Sequence, residues 1–500
     1  AVFRLLADPA TFGGAAVRRI DTHAASVFLA GDRALKIKRA VRFPFLDYST
    51  LEKRKAACAA EIEVNQPFAP QIYRRVVPIT RAADGRLALA GDGTPVEWAV
   101  EMHRFDETRT LDRLADNGEI DPALADRLAR AVAAAHARAP VVDAAPWIRA
   151  LATFIEQNDA AFRDDPDLFP VAAADELGRA SRAALARLSP LLAARGERGL
   201  VRRGHGDLHL GNIALIDGVP VAFDAIEFDP LIAAGDVLYD LAFLLMDLVE
   251  RGLPEAANIV LNRYLAETRR PDDLDALASL PLFLSLRAAI RAKVTAARAP
   301  SAAERARPAI LRTARTYFDL AGRLIAPAPP RLLAVGGLSG TGKSILARAL
   351  APELTPAPGA VVLRSDVERK ARFGVGETER LPTEAYAPAV TAAVYAALAD
   401  KARRVVAAGH SAIVDAVFAR PHERAAIAAA GGRGLFLTAD LETRLARVAG
   451  RASDASDAGA AVVRAQEEYD LGAFDRPAWT RIDGSGTPDE TLARARAALN

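Results

Sequence analysis

Cysteine is nearly absent: Cys58 is the only one in 500 residues. This excludes an internal disulfide and a multi-cysteine zinc site, and it leads one to expect a reducing, cytoplasmic setting. An excess of either charge is also lacking, since 65 basic and 63 acidic residues leave +2. No global field draws the chain to nucleic acid or to an acidic membrane surface, so neither is the expected partner. No uncharged apolar run reaches the ~18 residues of a membrane helix; the apolar stretch Leu241–Val249 is short and carries Asp247. The opening residues AVFRLLADPATFGG have neither the basic nor the apolar region of a secretory leader, and none is expected. Lysine is scarce, with eight against 57 arginines. Where arginine is the default cation, a retained lysine hints that a compact ammonium is wanted. Lys36, Lys38 and Lys343 all fall in the motifs below.

What is present is enough apolar material to build cores: 51% hydrophobic and 26% charged residues. A prior of ~150 residues per domain predicts about three compact units. Three prolines in Ala326-Pro327-Ala328-Pro329-Pro330 predict an extended linker at 326–330. Before it, residues 1–102 read as short strands (Val27–Ala30, Ala34–Ile37, Arg75–Ile79, Trp98–Met102) around a helix from Thr50 to Val64. Residues 103–325 read as helices interrupted by a glycine-rich, strand-like patch from Gly204 to Phe228. A small β-rich lobe followed by a larger helical lobe is an α+β bilobal domain with its cleft between the lobes. After the linker, residues 331–500 alternate strand and helix. Apolar strands fall at Leu332–Val335, Val361–Leu363, Ala412–Val414, Leu435–Leu437 and near Arg481–Ile482. That pattern predicts an α/β domain with a five-stranded parallel sheet and ligands at the strands' carboxyl ends.

The segment Gly337-Leu338-Ser339-Gly340-Thr341-Gly342-Lys343-Ser344 satisfies G-x-x-x-x-G-K-[ST] between a strand and a helix. Gly337, Ser339, Gly340, Thr341 and Gly342 supply backbone N–H groups that turn around a phosphate. Lys343 reaches the outer phosphates, and the Ser344 hydroxyl is placed for Mg²⁺. Asp366 follows the second strand, where a carboxylate can accept a proton from an attacking hydroxyl. Asp415 ends the third strand, where it can hold Mg²⁺ or its waters. Arg444, Arg447 and Arg451 recur at i, i+3 and i+7, so one helix face presents three guanidinium groups able to close over transferring phosphates. Ser453–Asp457 would then form the tip of a lid.

A second phosphoryl-transfer pattern lies in His205-Gly206-Asp207-Leu208-His209-Leu210-Gly211-Asn212. Its three glycines, Gly204, Gly206 and Gly211, make it a loop, which argues against a zinc pair at the two histidines. Asp207 fits a base that orients a hydroxyl, and Asn212, five residues on, fits a Mg²⁺ ligand. The strand Val219–Phe223 then delivers Asp224 as the main metal carboxylate. Upstream, Lys36 and Lys38 share one face of a strand, and Glu61 and Glu63 are the carboxylates available on the next helix. Lys36 with Glu61 is the preferred nucleotide-gripping pair; Lys38 and Glu63 are the alternatives.

On GLSGTGKS, the RSD after the second strand, IVDAVF and the arginine-bearing segment, residues 331–500 resemble P-loop small-substrate kinases. That group takes in gluconate and shikimate kinases, zeta-toxin-like kinases and the 5′-kinase module of polynucleotide kinases. The resemblance implies Asp366 as general base and Arg447 and Arg451 as lid residues. On HGDLHLGN and the downstream Gly235-Asp236-Val237-Leu238-Tyr239-Asp240-Leu241-Ala242, the first 325 residues resemble aminoglycoside phosphotransferase-like kinases. In that group the second aspartate, here Asp240, braces the catalytic loop. The chain departs from the pattern in lacking G-x-G-x-x-G over the phosphates and in placing its metal aspartate in Phe223-Asp224-Ala225-Ile226-Glu227. The fusion is similar to bacterial proteins that join these two domain types. It implies a bifunctional kinase using ATP and Mg²⁺ on small polar acceptors. The other readings are a polynucleotide 5′-hydroxyl kinase in the second half, or a non-catalytic nucleotide sensor in one half.

Overall fold

Strands with a period of two build the first sheet. In the strand Arg33–Lys38, Leu35 and Ile37 point to one side and pack with Leu6, Phe28, Val77, Ile79 and Ala99, leaving Lys36 and Lys38 on the other. The structure, a computed structural model, describes residues 1–22, 24–43, 46–450, 455–474 and 478–499. Two compact units emerge, one of residues 1–166 with 182–247, the other of residues 167–181 with 248–500. The proline-bearing segment 326–330 lies inside the second unit.

The first unit carries an antiparallel six-stranded sheet. Its order is Val17–Asp21, Ala25–Ala30, Arg33–Lys38, Thr94–His103, Tyr73–Arg81, Leu87–Leu89. The helix Leu51–Asn65 starts at Thr50, whose side chain accepts from the Lys53 N–H. It packs its small residues on the sheet, with Cys58 fully buried against Val100 and Met102. Burial pushes the Cys58 thiol up to about 12, as befits an inert packing residue. The rest of the unit is mainly helical. Two short ribbons frame the glycine-rich loop: Val201–Arg203 pairs with Ala234–Asp236, and Ile213–Ile216 pairs with Val219–Ala222. The second ribbon turns through Asp217 and Gly218, both at positive φ, as a two-residue hairpin requires. Fully buried Arg195 grips Asp236 through two nitrogens, at 2.5 and 2.9 Å.

The second unit holds a five-stranded, all-parallel sheet. Its order is Val361–Arg364, Ala412–Asp415, Leu332–Gly337, Arg433–Thr438, Trp479–Asp483. Helices follow the strands, and Leu333, Val335, Leu346, Leu350, Ile413 and Leu435 interlock as its core. The strand Val361–Arg364 is an edge strand, and the helix Pro254–Thr268 blunts its edge. Asn262 Oδ1 accepts from the Val362 N–H (2.7 Å), while the amides of Asn262 and Asn258 donate to the Ala360 carbonyl (3.1 and 3.0 Å). Side-chain amides thus occupy the positions where another strand would pair. Two further helices, Leu280–Ala296 and Arg307–Ile325, pack together, with Ser285 Oγ donating to the Ala321 carbonyl (2.9 Å). Among the described residues no helix is long and apolar enough to cross a membrane.

Candidate active sites

In the first unit, strand and helix geometry brings the retained lysines onto a single carboxylate. Lys36 Nζ lies 2.8 Å from Glu61 Oε1, and Lys38 Nζ lies 2.5 Å from Glu61 Oε2. Glu61 is fully buried on its helix, whereas Glu63 is exposed. Lys36 also reaches Asp224 Oδ1 at 2.6 Å, and Lys38 pairs with Glu227, which accepts a further bond from the Tyr48 hydroxyl (2.9 Å). Burial works to deprotonate Lys36, but the Asp224 and Glu61 carboxylates outweigh it and hold its pKa well above the usual lysine value. Burial likewise works to protonate Glu61, and the two ammonium groups outweigh that, keeping it below the ordinary range. Asp224 is held low by Lys36, against its own desolvation.

Asp224 sits at positive φ (+61°), a conformation an L-residue rarely adopts without support. The support is visible on both sides. Its N–H donates to the Tyr73 hydroxyl (3.0 Å), and the next residue, Ala225, is held by the buried side chain of Asn65.

The glycine-rich loop is held from below by Asp240. Its carboxylate accepts the N–H groups of His205 and Gly206, each at 2.9 Å, and lies 3.1 Å from His136 Nε2. Gly204 has no room for a side chain, since a Cβ there would stand 2.7 Å from Asp240 Oδ2. His205 places Nε2 2.9 Å from the Phe223 carbonyl; a carbonyl only accepts, so the proton is on Nε2. Burial keeps this imidazole neutral by lowering its pKa. Asn212 donates to the Asp207 carboxylate (2.9 Å) and carbonyl (3.0 Å), fixing the proposed base. His209 Nδ1 accepts from the Gly211 N–H (3.1 Å), which turns Nε2 toward Asp207 Oδ2 at 3.4 Å.

In the second unit the loop 337–344 wraps the start of the helix Lys343–Leu350. Gly340 has φ +86°, and a Cβ there would meet the Arg444 carbonyl oxygen at 2.5 Å, so only glycine fits. Arg364 spans Asp415 Oδ2 (3.2 Å) and Ser344 Oγ (3.4 Å), linking the second strand, the third strand and the phosphate loop. Asp366 is the second residue of the helix Ser365–Arg372 and is half-buried.

The arginine face is engaged with backbone. Arg444 is buried and donates to the Ser339 carbonyl (2.9 Å), with Glu467 as its ion-pair partner. Arg447 donates to the carbonyls of Gly484 and Gly486, each at 2.7 Å, and of Thr341 at 3.4 Å. Arg451, Ser453 and Asp454 lie outside the described residues. Asp457, at the end of that segment, meets Lys370 Nζ at 3.1 Å and accepts from the Tyr386 hydroxyl at 2.7 Å.

Both sites suit a hard cation held together with a nucleotide. Among the described residues no group of three or more His, Cys, Asp or Glu forms a ready-made cage. Mg²⁺ characteristically takes one or two protein carboxylates and completes its shell from substrate phosphates and water. In the first unit the donors are Asp224, its side chain about half exposed (48%), and the amide oxygen of Asn212. In the second they are Ser344 Oγ and Asp415, whose Oδ1 is buried without a hydrogen-bond partner. A buried carboxylate oxygen left unpaired is costly, and a metal-bound water would satisfy it.

Sequence reasoning passed over Asn65, Tyr73, Tyr48 and Glu227 as site residues. Asn65 stands one helical turn beyond Glu61, so the i, i+4 spacing was a usable signal. Tyr48, Tyr73 and Glu227 carry no comparable local signal.

The profile of the phosphotransferase enzyme family matches residues 25–278, and that of an AAA domain matches residues 332–470. An uncharacterized protein of Mycobacterium tuberculosis is 31% identical over 494 residues, covering 95% of this chain and 94% of its own. Among solved structures, a choline/ethanolamine kinase family protein from Mesorhizobium loti is similar over 65% of this chain and 97% of its own (13% identity, TM-score 0.38). A gluconokinase from Sinorhizobium meliloti is similar over 34% of this chain and 91% of its own (21% identity, TM-score 0.26).

Proposed function

Because the chain belongs to the phosphotransferase enzyme family, with an AAA-type P-loop domain following the family region, we propose that it is a bifunctional ATP-dependent kinase. Each half transfers a phosphoryl group from Mg·ATP to a hydroxyl of a small polar molecule. The observation that carries this reading is the junction of Lys36 with both Glu61 and Asp224, in the same unit as the Asp207–Asn212 contact. Lys38 also meets two carboxylates, but both are buried, whereas the Asp224 partner of Lys36 is half exposed.

In the first unit Lys36, oriented by Glu61, grips the nucleotide phosphates. Asp207 accepts the proton of the acceptor hydroxyl; its orientation is set by Asn212, and His209 stands beside the same carboxylate oxygen. In the second unit the loop amides and Lys343 hold the phosphates, and Asp366 is positioned as the base for its acceptor. When bound at Asp224 and Asn212, or at Ser344 and Asp415, Mg²⁺ supplies charge neutralisation between phosphates. Phosphoryl transfer needs little covalent help from the protein, so positioning and charge account for most of the catalysis in both halves.

The test is phosphorylation of a metabolite extract by the purified chain with labelled ATP, repeated with Asp207→Asn and Lys343→Ala. Two labelled products, each lost in a different variant, support the reading. A single product lost in both variants would show one machine instead of two, and no product from any form would favour nucleotide sensing.

A further inference from the structure

Beside the edge strand of the parallel sheet lies a cavity of 340 Å³. One wall comes from the helix Pro254–Thr268 and the residues following it, the other from Val361–Arg364 and the helix Ser365–Arg372. No residue of the phosphate loop lines it, and neither Asp366 nor Asp415 does. It is therefore distinct from the phosphate loop, although Arg364, which reaches Asp415 and Ser344, borders both. Its volume falls in the range that holds small ligands.

Much of the lining is apolar, including Leu274, Val367, Val375 and Leu398. The charged groups on the wall are almost all matched. Glu368 pairs with Lys401 (2.5 Å), and the carboxylate of Glu377 pairs with Arg263 (2.9 Å). Lys370 is taken by Asp457 and the Glu377 carbonyl, and Arg364 by Asp415. Arg269 and Arg270 are the exceptions. Both line the cavity, and neither makes an ion pair among the described residues. Arg270 is partly buried, and Arg269, exposed at the left-handed cap of the helix (φ +50°), adds a second positive charge at the rim. The carboxylates within reach are already neutralised, so the wall offers unmatched positive charge above an apolar floor.

We propose that this cavity is a binding site for a small amphipathic oxyanion: a carboxylate or phosphate monoester on a short alkyl body, with its anionic head on Arg270. A cation would meet no free carboxylate here, and a fully polar anion would leave the apolar floor uncovered. The head group is planar or tetrahedral according to which class binds, and guanidinium forks accept both. The proposal does not depend on either half transferring phosphate.

The test is isothermal titration of the full chain with hexanoate, butyl phosphate and, as an uncharged control, hexanol, each with and without saturating Mg·ATP. One or both oxyanions are expected to bind and hexanol is not, and the preferred head group identifies the class. Arg270→Gln is expected to weaken that binding at least tenfold. Ala266→Phe, which fills the cavity without touching its charge, is expected to abolish it, and it keeps the test decisive if Arg270→Gln misfolds. Binding should persist with Mg·ATP present. The proposal is overturned if neither oxyanion binds, if binding survives both substitutions, or if Mg·ATP displaces the probe, which would place it in a nucleotide pocket.

Discussion

The side chain of Asn65 holds the backbone of Ala225 at two points, accepting from its N–H at 2.7 Å and donating to its carbonyl at 3.2 Å. The same amide donates to the carbonyl of Glu61, one turn earlier on its helix (3.1 Å). One buried residue therefore sets the spacing between the carboxylate that orients Lys36 and the strained Asp224 on the other side of that lysine. Asn65→Ala leaves a buried N–H and a buried carbonyl unsatisfied, and each costs about 1–3 kcal/mol. The expected result is a lower denaturation midpoint together with a loss of first-unit turnover. Unchanged turnover in a variant of lowered stability would show the clamp to be structural only.

Lys36 and Lys38 share Glu61 but should fail differently. On the proposed roles, Lys36→Met removes the phosphate contact, and a loss of about 10²–10³ in first-unit turnover is expected with the fold retained. Lys38→Met leaves buried Glu61 and Glu227 short of a cation, a defect that costs about 3–5 kcal/mol. Chemical denaturation alongside ATP turnover separates the two. Equal stability losses in both variants would contradict the division of roles.

His410 gives the second unit a pH dependence of known sign. It is fully buried, faces the Gly359 carbonyl at 2.8 Å, and burial lowers its pKa to about 4. The unfolded chain takes up this proton near 6.5 and the folded one only near 4, so the unfolded state binds more protons between those values. Stability is therefore complete above about pH 6.5 and falls as pH drops to about 4, by about 3 kcal/mol from this group. Denaturation midpoints of wild type and His410→Gln between pH 7 and 4 check it; the variant should show the shallower slope. Parallel curves would assign the acid sensitivity elsewhere.

The loop motif was legible because its pattern is local: glycines, lysine and serine fall within one strand-to-helix turn, and the five-stranded sheet follows from short apolar runs. The Asp207–Asn212 contact was legible for the same reason, through their five-residue spacing. What spacing does not carry is the partner across the fold. Periodicity put Arg444 and Arg447 on one helix face, but only the folded chain shows that face meeting the carbonyls of Ser339, Gly484 and Gly486. Two strand lysines and two helix glutamates left four pairings open; helix rotation then buried Glu61 and exposed Glu63. The edge-capping asparagines, Asn258 and Asn262, are 100 or so residues from the strand they cover, and nothing near them in sequence marks that role.

Asp415→Asn tests the metal end of the second unit. Replacing one carboxylate oxygen by an amide keeps the shape but removes a charge that Mg²⁺ would use and that Arg364 now neutralises. The Mg²⁺ concentration needed for half-maximal second-unit turnover is expected to rise at least tenfold, with the first unit unaffected. An unchanged Mg²⁺ requirement would place the metal on other residues.

The most direct measurement is the number of Mg·ATP-analogue molecules bound per chain, by equilibrium titration with a non-hydrolysable analogue. Two independent phosphate-gripping sites predict two per wild-type chain, one each for Lys36→Met and Lys343→Ala, and none for the double variant. A single site in the wild type, lost in either single variant, would contradict the account.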